Sequence, residues 1–239
     1  MMEPNGRVVM LSGATGGIGA AITRRLCEDG FRLSLGVRDL DKARAAFPEL
    51  EADGGLICRF VADDTDATEA WVDATADHFG RIDALINNAG ILRQVFFDEG
   101  DEELLDELWT VNVKAPFRLI RHALPHLSEA GNGRIINVGS TDAKRYRVGV
   151  SVGYAMSKHA LLAMSHAAKA AGWEHGVRVT ALCPGAVDTP MIQSIPGVTP
   201  PDERIRPDDL AEIVAFLLRL PNNASVPEMV VNTRLESVI

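Results

Sequence analysis

The sequence predicts an α/β fold of the Rossmann type: a doubly wound parallel sheet of about seven strands with helices on both faces. Short apolar runs alternate along the chain with longer segments of helical periodicity, which is typical of repeated β–α units around a parallel sheet. A length of 239 residues suits one large α/β domain. Neither a linker composition nor an internal repeat interrupts the pattern, so residues 1–239 are expected to form a single domain.

Each predicted strand is a short apolar run, as expected for strands that are buried on both faces. These runs are 7–11, 31–37, 55–62, 82–86, 133–140, 177–183 and 226–232. Helical periodicity is found at 20–30, 67–80, 101–128, 154–174 and 207–220. Asp66 is the expected N-cap of the helix at 67–80, and Pro116 is expected to kink the helix at 101–128. A further short helix is expected to begin at Asp39, which would cap it.

Composition and charge argue against several classes of partner. The formal net charge is −9, which disfavours nucleic acid and anionic membrane surfaces. No apolar run is long enough to span a bilayer, and the first residues do not form a signal peptide. Cys27, Cys58 and Cys183 lie far apart and have no metal-ligand spacing, so we expect a cytoplasmic protein with reduced cysteines and no metal site.

A glycine-rich stretch, Ser12-Gly13-Ala14-Thr15-Gly16-Gly17-Ile18-Gly19, separates the first strand from the first helix. Glycines allow a tight turn and a close approach of the backbone to a pyrophosphate, and the helix N-terminus offers N–H groups and a partial positive charge. This order of elements predicts the first half of a dinucleotide site, with an ordinary glycine-rich loop as the alternative. The residues expected to contact the cofactor here are Gly13, Thr15, Gly16, Gly17, Ile18 and Gly19.

The residue at the end of the second strand indicates which dinucleotide binds. Arg38 lies nineteen positions after Gly19, where an acidic residue would hold the ribose 2′-hydroxyl of NAD. A guanidinium there suits a 2′-phosphate, so NADP(H) is the expected cofactor and NAD(H) the alternative. Asp39 and Asp41 add negative charge nearby, and a solvated surface arginine is the other interpretation of Arg38.

Polar residues also follow the third and fourth strands. Asp63 and Asp64 are candidates for contact with the adenine amino group, although such acids also favour the start of a helix. The fourth strand ends in Asn87-Asn88-Ala89-Gly90, where two amides and a glycine can satisfy loop backbone and let a cofactor approach. We therefore expect Asn88, Ala89 and Gly90 in the cofactor site.

Tyr154 and Lys158 are four residues apart in a predicted helix, so both side chains project from one face. A nearby cation favours the phenolate and lowers the pKa of a tyrosine, although such a pair also occurs on ordinary surface helices. Ser140 is placed at the carboxyl tip of the fifth strand, where ligands bind in open α/β sheets. Asn112 lies among apolar neighbours, and periodicity alone favours a structural role for it.

Two segments near these residues are candidates for substrate contact. The loop between Ser140 and Tyr154 contains Lys144, Arg145 and Arg147, which either meet an anionic substrate or, as we favour, belong to a solvated loop. The segment 190–206 is rich in Pro, Gly and Thr and is the expected substrate lid.

Taken together, these residues resemble the single-domain form of the short-chain dehydrogenase/reductase family. The resemblance covers nearly the whole chain, and the motifs occur in the family's order. They are Gly13, Gly17 and Gly19, Asp63, Asn87-Asn88-Ala89-Gly90, Asn112, Ser140, Tyr154, Lys158 and Pro184-Gly185. Each motif alone is weak, and their joint occurrence is specific.

The resemblance implies a catalytic set of Asn112, Ser140, Tyr154 and Lys158 that interconverts a small-molecule carbonyl and a secondary alcohol by hydride transfer. Tyr154 would be the general acid or base, and Ser140 would stabilise the substrate oxygen. Lys158 would lower the phenol pKa and hold the nicotinamide ribose, and Asn112 would shape the helix around a water. Implied cofactor contacts also include Tyr154, Lys158, Pro184, Gly185, Val187 and Thr189.

The resemblance also implies a homodimer or homotetramer. Gly16 stands where many NADP-dependent members have a basic residue, so Arg38 must provide most of an NADP preference. The end of the chain, with Arg234 and Leu235, departs from the usual glycine-rich ending. The alternatives are an NAD-dependent alcohol dehydrogenase, a non-catalytic NADP-binding module and an NAD-dependent epimerisation or dehydration on the same scaffold.

Overall fold

A computed structural model describes residues 1–193, 195 and 198–233. These residues contain a seven-stranded sheet in the order β3-β2-β1-β4-β5-β6-β7, in which all neighbouring strands are parallel. The predicted Rossmann-type sheet is therefore confirmed. The strands are β1 (Val8–Ser12), β2 (Arg32–Val37), β3 (Leu56–Arg59), β4 (Ala84–Asn87), β5 (Arg134–Val138), β6 (Arg178–Pro184) and β7 (Glu228–Val231).

Seven α-helices accompany the described strands. They are α1 (Gly17–Glu28), α2 (Leu40–Ala46), α3 (Thr65–Phe79), α4 (Glu102–Trp109), α5 (Ala115–Glu129), α6 (Val152–Gly172) and α7 (Pro207–Arg219). No helix in the described ranges is both long and apolar enough to cross a membrane.

The central strand β1 shows why helices cover both faces of the sheet. Its side chains alternate, so Val9 and Leu11 join a buried cluster with α1 and α7, whereas Met10 joins the cluster with α3, α5 and α6. All three are fully buried. The strand order reverses here, because β1 pairs with β2 on one side and with β4 on the other. Such a switch point opens a crevice at the carboxyl ends of the strands, where ligands bind in this type of sheet.

The helix expected at 101–128 is present as one unbroken helical path over residues 102–129, but it is not a regular α-helix. The chain instead forms α4, a π-helical segment (Thr110–Lys114) and α5. Pro116 does not kink a helix interior, because it lies in the first turn of α5, where a missing N–H costs little. Asn112 lies within the π segment and is buried. Wider π turns inside helices are frequent at functional sites.

The prediction that Asp66 caps α3 is wrong. Asp64 rather than Asp66 caps this helix, with its carboxylate accepting a hydrogen bond of 3.0 Å from the N–H of Ala67. The helix starts at Thr65, earlier than apolar periodicity indicated, so Asp66 falls in its first turn. The expectation for Asp39 is confirmed, because its carboxylate accepts the N–H three residues on, at the start of α2.

The predicted lid is only partly described. Residues 194, 196 and 197 lie outside the described residues, as do Arg234 and Leu235 of the unusual chain end. The described part contains two 3-10 turns, Pro190–Ile192 and Pro201–Glu203.

Candidate active site

The glycine-rich turn forms a tight cradle between β1 and α1. Gly13 has a φ of +70°, which favours glycine, and a Cβ built there would lie 2.9 Å from Cα of Ala89. A Cβ on Gly19 would lie 2.1 Å from the carbonyl oxygen of Gly13, so a side chain there would force the turn open. The N-cap of α1 is Gly16, which has no side chain to satisfy the first N–H groups of the helix.

Asn88, which follows β4, and Thr189, which follows β6, pack against this cradle and stabilise it. Asn88 donates from Nδ2 to the carbonyl oxygens of Ser12 (3.1 Å) and Gly13 (3.0 Å). The Ser12 hydroxyl in turn accepts the N–H groups of Asn88 and Ala89, each at 3.1 Å. Thr189 lies against the cradle, because a Cβ on Gly17 would be 2.9 Å from its Cγ2.

The residues of this cradle fit a dinucleotide. A closely packed glycine turn leads into a helix whose N-terminal N–H groups have no side-chain cap, which is the arrangement that binds a pyrophosphate. At the end of β6, Gly185 donates its N–H to Val231 at 2.7 Å, and Val187 is buried and bridged to Ile205. Pro184 is the last residue of β6, and Thr189, five positions further along the chain, is the residue of this segment that lies against Gly17 of the cradle.

The structure distinguishes the acidic residues near the expected adenosine position. Asp64 caps α3 and also pairs with Arg59 at 3.2 Å. The hydrogen bond from Ala67 and then Arg59 hold the pKa of Asp64 below its ordinary value. Asp63 is exposed beside it. Arg38 is exposed directly after β2.

The predicted pair Tyr154 and Lys158 lies on one buried face of α6, with Ser140 opposite. Ser140 is 7% exposed, Tyr154 8% and Lys158 5%, so all three are shielded from bulk water. Lys158 Nζ lies 5.6 Å from the centre of the Tyr154 ring and donates to the carbonyl oxygen of Val138 at 3.0 Å. The structure therefore brings together three of the four residues proposed as catalytic.

Burial shifts the pKa values of both Tyr154 and Lys158. It raises the pKa of Tyr154, the Asp142 carboxylate raises it further, and the Ser140 hydroxyl acts in the opposite direction. Burial also lowers the pKa of Lys158 to about 8. Burial and Asp142 thus oppose the lowering of the Tyr154 pKa that was expected from Lys158, and that role of Lys158 in the complete site stays a prediction. Desolvation of a fully enclosed phenolate outweighs the attraction of one cation.

Asn112 fixes the backbone beside Lys158. Its Oδ1 accepts the N–H of Ile91 at 2.9 Å, and its Nδ2 donates to the carbonyl oxygen of Ile91 at 2.9 Å and to Ser157 Oγ at 3.0 Å. A Cβ on Gly90 would lie 3.3 Å from Asn112 Oδ1 and 3.6 Å from Lys158 Nζ. Asn112 therefore joins the chain after β4 to α6 at the position of Lys158.

A cavity of about 270 Å³ opens in front of Ser140 and Tyr154. Its apolar wall includes the lid residues Met191, Ile192, Ile195 and Val198. Its polar wall contains residues that sequence reasoning did not assign to a site, namely Asp142, Ser151 and Asn232.

Two of these missed residues have unusual surroundings. Asp142, two positions after Ser140, is only 8% exposed. Asn232 Nδ2 is buried and has no hydrogen-bond partner within the part of the chain that the structure describes. A buried carboxylate and an orphaned amide donor on one cavity wall are groups that a polar substrate can satisfy.

We expected the loop after Ser140 to be solvated, but its three basic side chains all bind other groups of the protein, so that expectation is wrong. Arg147 pairs with Asp142 at 3.0 Å and lines the cavity. Lys144 instead forms an ion pair with Glu228 on β7. Arg145 donates to the carbonyl oxygen of Thr141 at 2.9 Å. Of the three basic residues, only Arg147 lines this cavity.

The sequence matches the family model described as short chain dehydrogenase over residues 7–197. An agropine synthesis reductase from Rhizobium rhizogenes is 37% identical over 232 residues, which is 97% of this chain and 53% of that protein. The chain spans about half the length of the two such reductases that it matches. Levodione reductase from Leifsonia aquatica is 31% identical over 234 residues, covering 89% of this chain and 87% of that protein.

Solved structures resemble the whole described fold. An alcohol dehydrogenase from the archaeon Thermococcus sibiricus, complexed with 5-hydroxy-NADP, aligns with a TM-score of 0.84 at 30% identity and covers 94% of this chain and 95% of that chain. A 3-ketoacyl-(acyl-carrier-protein) reductase from Brucella melitensis, complexed with NADH, aligns with a TM-score of 0.87 at 27% identity and covers 96% and 98% of the two chains.

Proposed function

Since this chain belongs to the short-chain dehydrogenase/reductase family, we propose that it is an NADP(H)-preferring oxidoreductase that interconverts a carbonyl and a secondary alcohol. One observation supports this most directly. Ser140 and Tyr154 face a single cavity, and Lys158 lies between Tyr154 and Gly90 at the edge of the glycine cradle. A proton donor, a hydroxyl for the substrate oxygen and a dinucleotide cradle are thus adjacent.

The proposed chemistry assigns one role to each side chain. The bound nicotinamide supplies or accepts the hydride. In the reducing direction Tyr154 donates a proton to the substrate oxygen, and in the oxidising direction it removes that proton. The Ser140 hydroxyl stabilises negative charge on the same oxygen by hydrogen bonding. Because both side chains are almost fully buried, these interactions act in a medium of low polarity, where they are stronger than in water.

Lys158 and Asn112 support this proton transfer. The Lys158 ammonium lies 5.6 Å from the Tyr154 ring centre and stabilises negative charge on the phenol. Its position beside Gly90 also suits a hydrogen bond to the nicotinamide ribose. Asn112 holds the backbone of Ile91 and Ser157, so it positions the segment around Lys158 rather than contacting the substrate.

The wall opposite Ser140 and Tyr154 supports a lid at 190–206. Met191, Ile192 and Ile195 line the cavity from this segment, so its closure would shield the reacting atoms from water. The mixture of apolar lid residues with Gln94 and Arg147 suits a small carbonyl compound that has both apolar and polar parts.

The preference for NADP(H) rests on Arg38. It is exposed directly after β2, where a carboxylate would favour NAD. The neighbouring Asp39 is occupied in capping α2, so its charge is tied to the helix N-terminus. Structures of similar proteins contain an NADP derivative in one case and NADH in another, so the cofactor preference of this protein has to be measured directly.

A comparison of NADPH and NADH binding tests this preference. The wild type is expected to bind NADPH more tightly, and Arg38→Ala is expected to weaken NADPH about 10–100-fold, because charge-assisted hydrogen bonds contribute about 1.5–3 kcal/mol. NADH binding should change little. Fluorescence titration gives both dissociation constants, and Arg121→Ala, which removes an exposed arginine from α5, is the matched control. Equal binding of NADH by the wild type would refute the preference and favour an NAD-linked alcohol dehydrogenase.

We also propose that the protein forms a homodimer or homotetramer. Large apolar side chains are exposed on two adjacent helices: Phe117 on α5 is 54% exposed and Met156 on α6 is 46% exposed. Burying such a surface between subunits removes apolar area from water. Size-exclusion chromatography with light scattering should give two or four times the monomer mass, and a monomer at micromolar concentration would contradict the proposal.

A further inference from the structure

A buried carboxylate touches the serine of the proposed catalytic group. Asp142 is 8% exposed, and its Oδ2 lies 3.2 Å from Ser140 Oγ, at hydrogen-bond distance. The N–H of Asp142 donates to the same Ser140 Oγ at 3.0 Å. The serine hydroxyl is therefore held from two sides, as a donor to the carboxylate and as an acceptor from the backbone. It has one hydrogen, so the bond to the carboxylate must open when that hydrogen turns to a substrate oxygen, while the backbone bond can remain. The orientation of the hydroxyl depends on Asp142.

The second oxygen of this carboxylate has one cationic partner among the residues that the structure describes. Arg147 donates from Nε (3.2 Å) and Nη2 (3.0 Å) to Asp142 Oδ1. Both side chains line the cavity that contains Ser140 and Tyr154. Lys144, from the same loop, is instead bound to Glu228, so it does not replace Arg147 at this carboxylate. The result is a compact pair whose charges cancel beside the reacting group.

An uncompensated carboxylate at this position would oppose the reaction. Negative charge develops on the substrate oxygen or on the phenol, and like charges repel strongly in a buried site. The groups that influence Tyr154 electrostatically are Asp142 and Cys183, while Lys158 lies over its ring on the same helix. Of these, only Asp142 combines a carboxylate with direct contact to Ser140. Neutralising it is therefore a requirement for Ser140 and Tyr154 to act.

We propose that Asp142 and Arg147 work as one neutral unit, in which Asp142 holds Ser140 Oγ in place until the hydroxyl hydrogen turns to the substrate, and Arg147 cancels the carboxylate charge beside the reacting oxygen atoms. Arg147 is thereby a positioning residue for the reaction, acting through Asp142. The inference deepens the proposed function and rests on it for the roles of Ser140 and Tyr154. The bonds from Arg147 Nε and Nη2 both go to Asp142 Oδ1, so the carboxylate is what holds the guanidinium beside the site, and Arg147 should matter only while residue 142 is charged.

The chain offers a direct way to observe this coupling. It contains two tyrosines, Tyr146 and Tyr154, and Tyr146 is 51% exposed. In a Tyr146→Phe background, the ultraviolet absorbance of phenolate reports Tyr154 alone. Titration from about pH 7 to 11, with saturating NADP+ whose positively charged nicotinamide favours the phenolate, would be made on four proteins. These are the background itself, Asp142→Asn, Arg147→Gln and the double variant. Lys144→Gln, which removes a cation from the same loop, is the matched control.

We expect Asp142→Asn to move phenolate formation to lower pH by about one unit, because it removes a negative charge; its single amide oxygen can keep the bond from Ser140 but not also the bonds from Arg147. Arg147→Gln should move it to higher pH by a similar amount. In the Asp142→Asn background, Arg147→Gln should then have almost no effect, and Lys144→Gln should have little effect in any background. An Asp142→Asn protein with an unchanged titration, or an equal effect of Arg147→Gln with and without the carboxylate, would overturn the proposal.

Kinetics provide a second readout. With a carbonyl that the wild type reduces, Arg147→Gln should lower kcat about tenfold or more, and adding Asp142→Asn should restore kcat to within about threefold of the Asp142→Asn variant. A merely structural ion pair would lower thermal stability without this rescue. The phenolate titration needs no turnover. Absence of turnover in the wild type would therefore count against the proposed function, while the titration would still decide the role of the pair.

Discussion

Replacing Tyr154 with phenylalanine is expected to lower kcat for carbonyl reduction by about 10²–10⁴-fold, because the variant loses its general acid and keeps the ring. The ring is buried on α6, and Phe fills nearly the same space, so the fold should be retained. NADPH binding should change by less than about threefold, since the glycine cradle is untouched. The measurement is the initial rate of NADPH oxidation at saturating substrate, together with a dissociation constant for NADPH.

Tyr146→Phe is the matched control for this variant. Tyr146 is the other tyrosine of the chain, is 51% exposed and lies in the loop before α6. It should keep the wild-type rate, so a general effect of removing a phenol is separated from the effect of this phenol. A Tyr154→Phe enzyme that kept more than about a tenth of the wild-type kcat would contradict the proposed role. Retained NADPH binding without turnover in the wild type itself would instead favour a non-catalytic binding module.

The parts of the fold that local sequence determines were predicted well. Apolar runs, glycine turns and helix periodicity depend on neighbouring residues, so the seven strands were recognisable, whereas their order in the sheet was not predicted. The same holds for the face shared by Tyr154 and Lys158, which follows from their spacing in one helix. The association of the glycine turn with Asn88 was predicted only through the common edge of the sheet, and the structure adds its hydrogen bonds to Ser12 and Gly13.

The features that were missed depend on contacts between distant residues. Asn112 lies in a π segment and bonds to Ile91 and Ser157, which are 21 and 45 positions away, so periodicity could not show why the helix widens there. The carboxylate of Asp142 gains its meaning from burial and from Arg147, five positions on across a loop with no regular period. A signal existed in each case: a polar residue in an apolar stretch, and an acid beside the candidate serine.

Replacing Lys158 with methionine is expected to remove activity and, at neutral pH, to stabilise the protein without its cofactor. The lysine is 5% exposed, and burial lowers its pKa from 10.5 to about 8. One pKa unit corresponds to about 1.4 kcal/mol, so keeping the ammonium in the folded protein costs about 3 kcal/mol. Methionine removes this cost and also the hydrogen bond to Val138, so the net gain at pH 7 should be about 1–2 kcal/mol.

The sign of the pH dependence follows from proton binding. The folded state releases the Lys158 proton near pH 8, whereas the unfolded chain keeps it until about pH 10.4. The unfolded state therefore binds more protons in this window, and the Lys158 contribution makes the wild type more stable as pH rises. The advantage of Lys158→Met over the wild type should shrink by about 2 kcal/mol between pH 7 and 9.5. Urea unfolding at several pH values measures this difference.

The exposed Lys42 on α2 provides the control, because Lys42→Met should leave both stability and its pH dependence nearly unchanged. A Lys158→Met protein that is less stable than the wild type at pH 7, with a difference independent of pH, would show that the ammonium is not strained by burial. The expected result has a direct meaning for function. A buried cation that destabilises the empty site is useful only if negative charge arrives there, and the Tyr154 phenol and a bound dinucleotide are the two sources that this site provides. Kinetic loss combined with gained stability would therefore identify Lys158 as a residue retained for the reaction rather than for the fold.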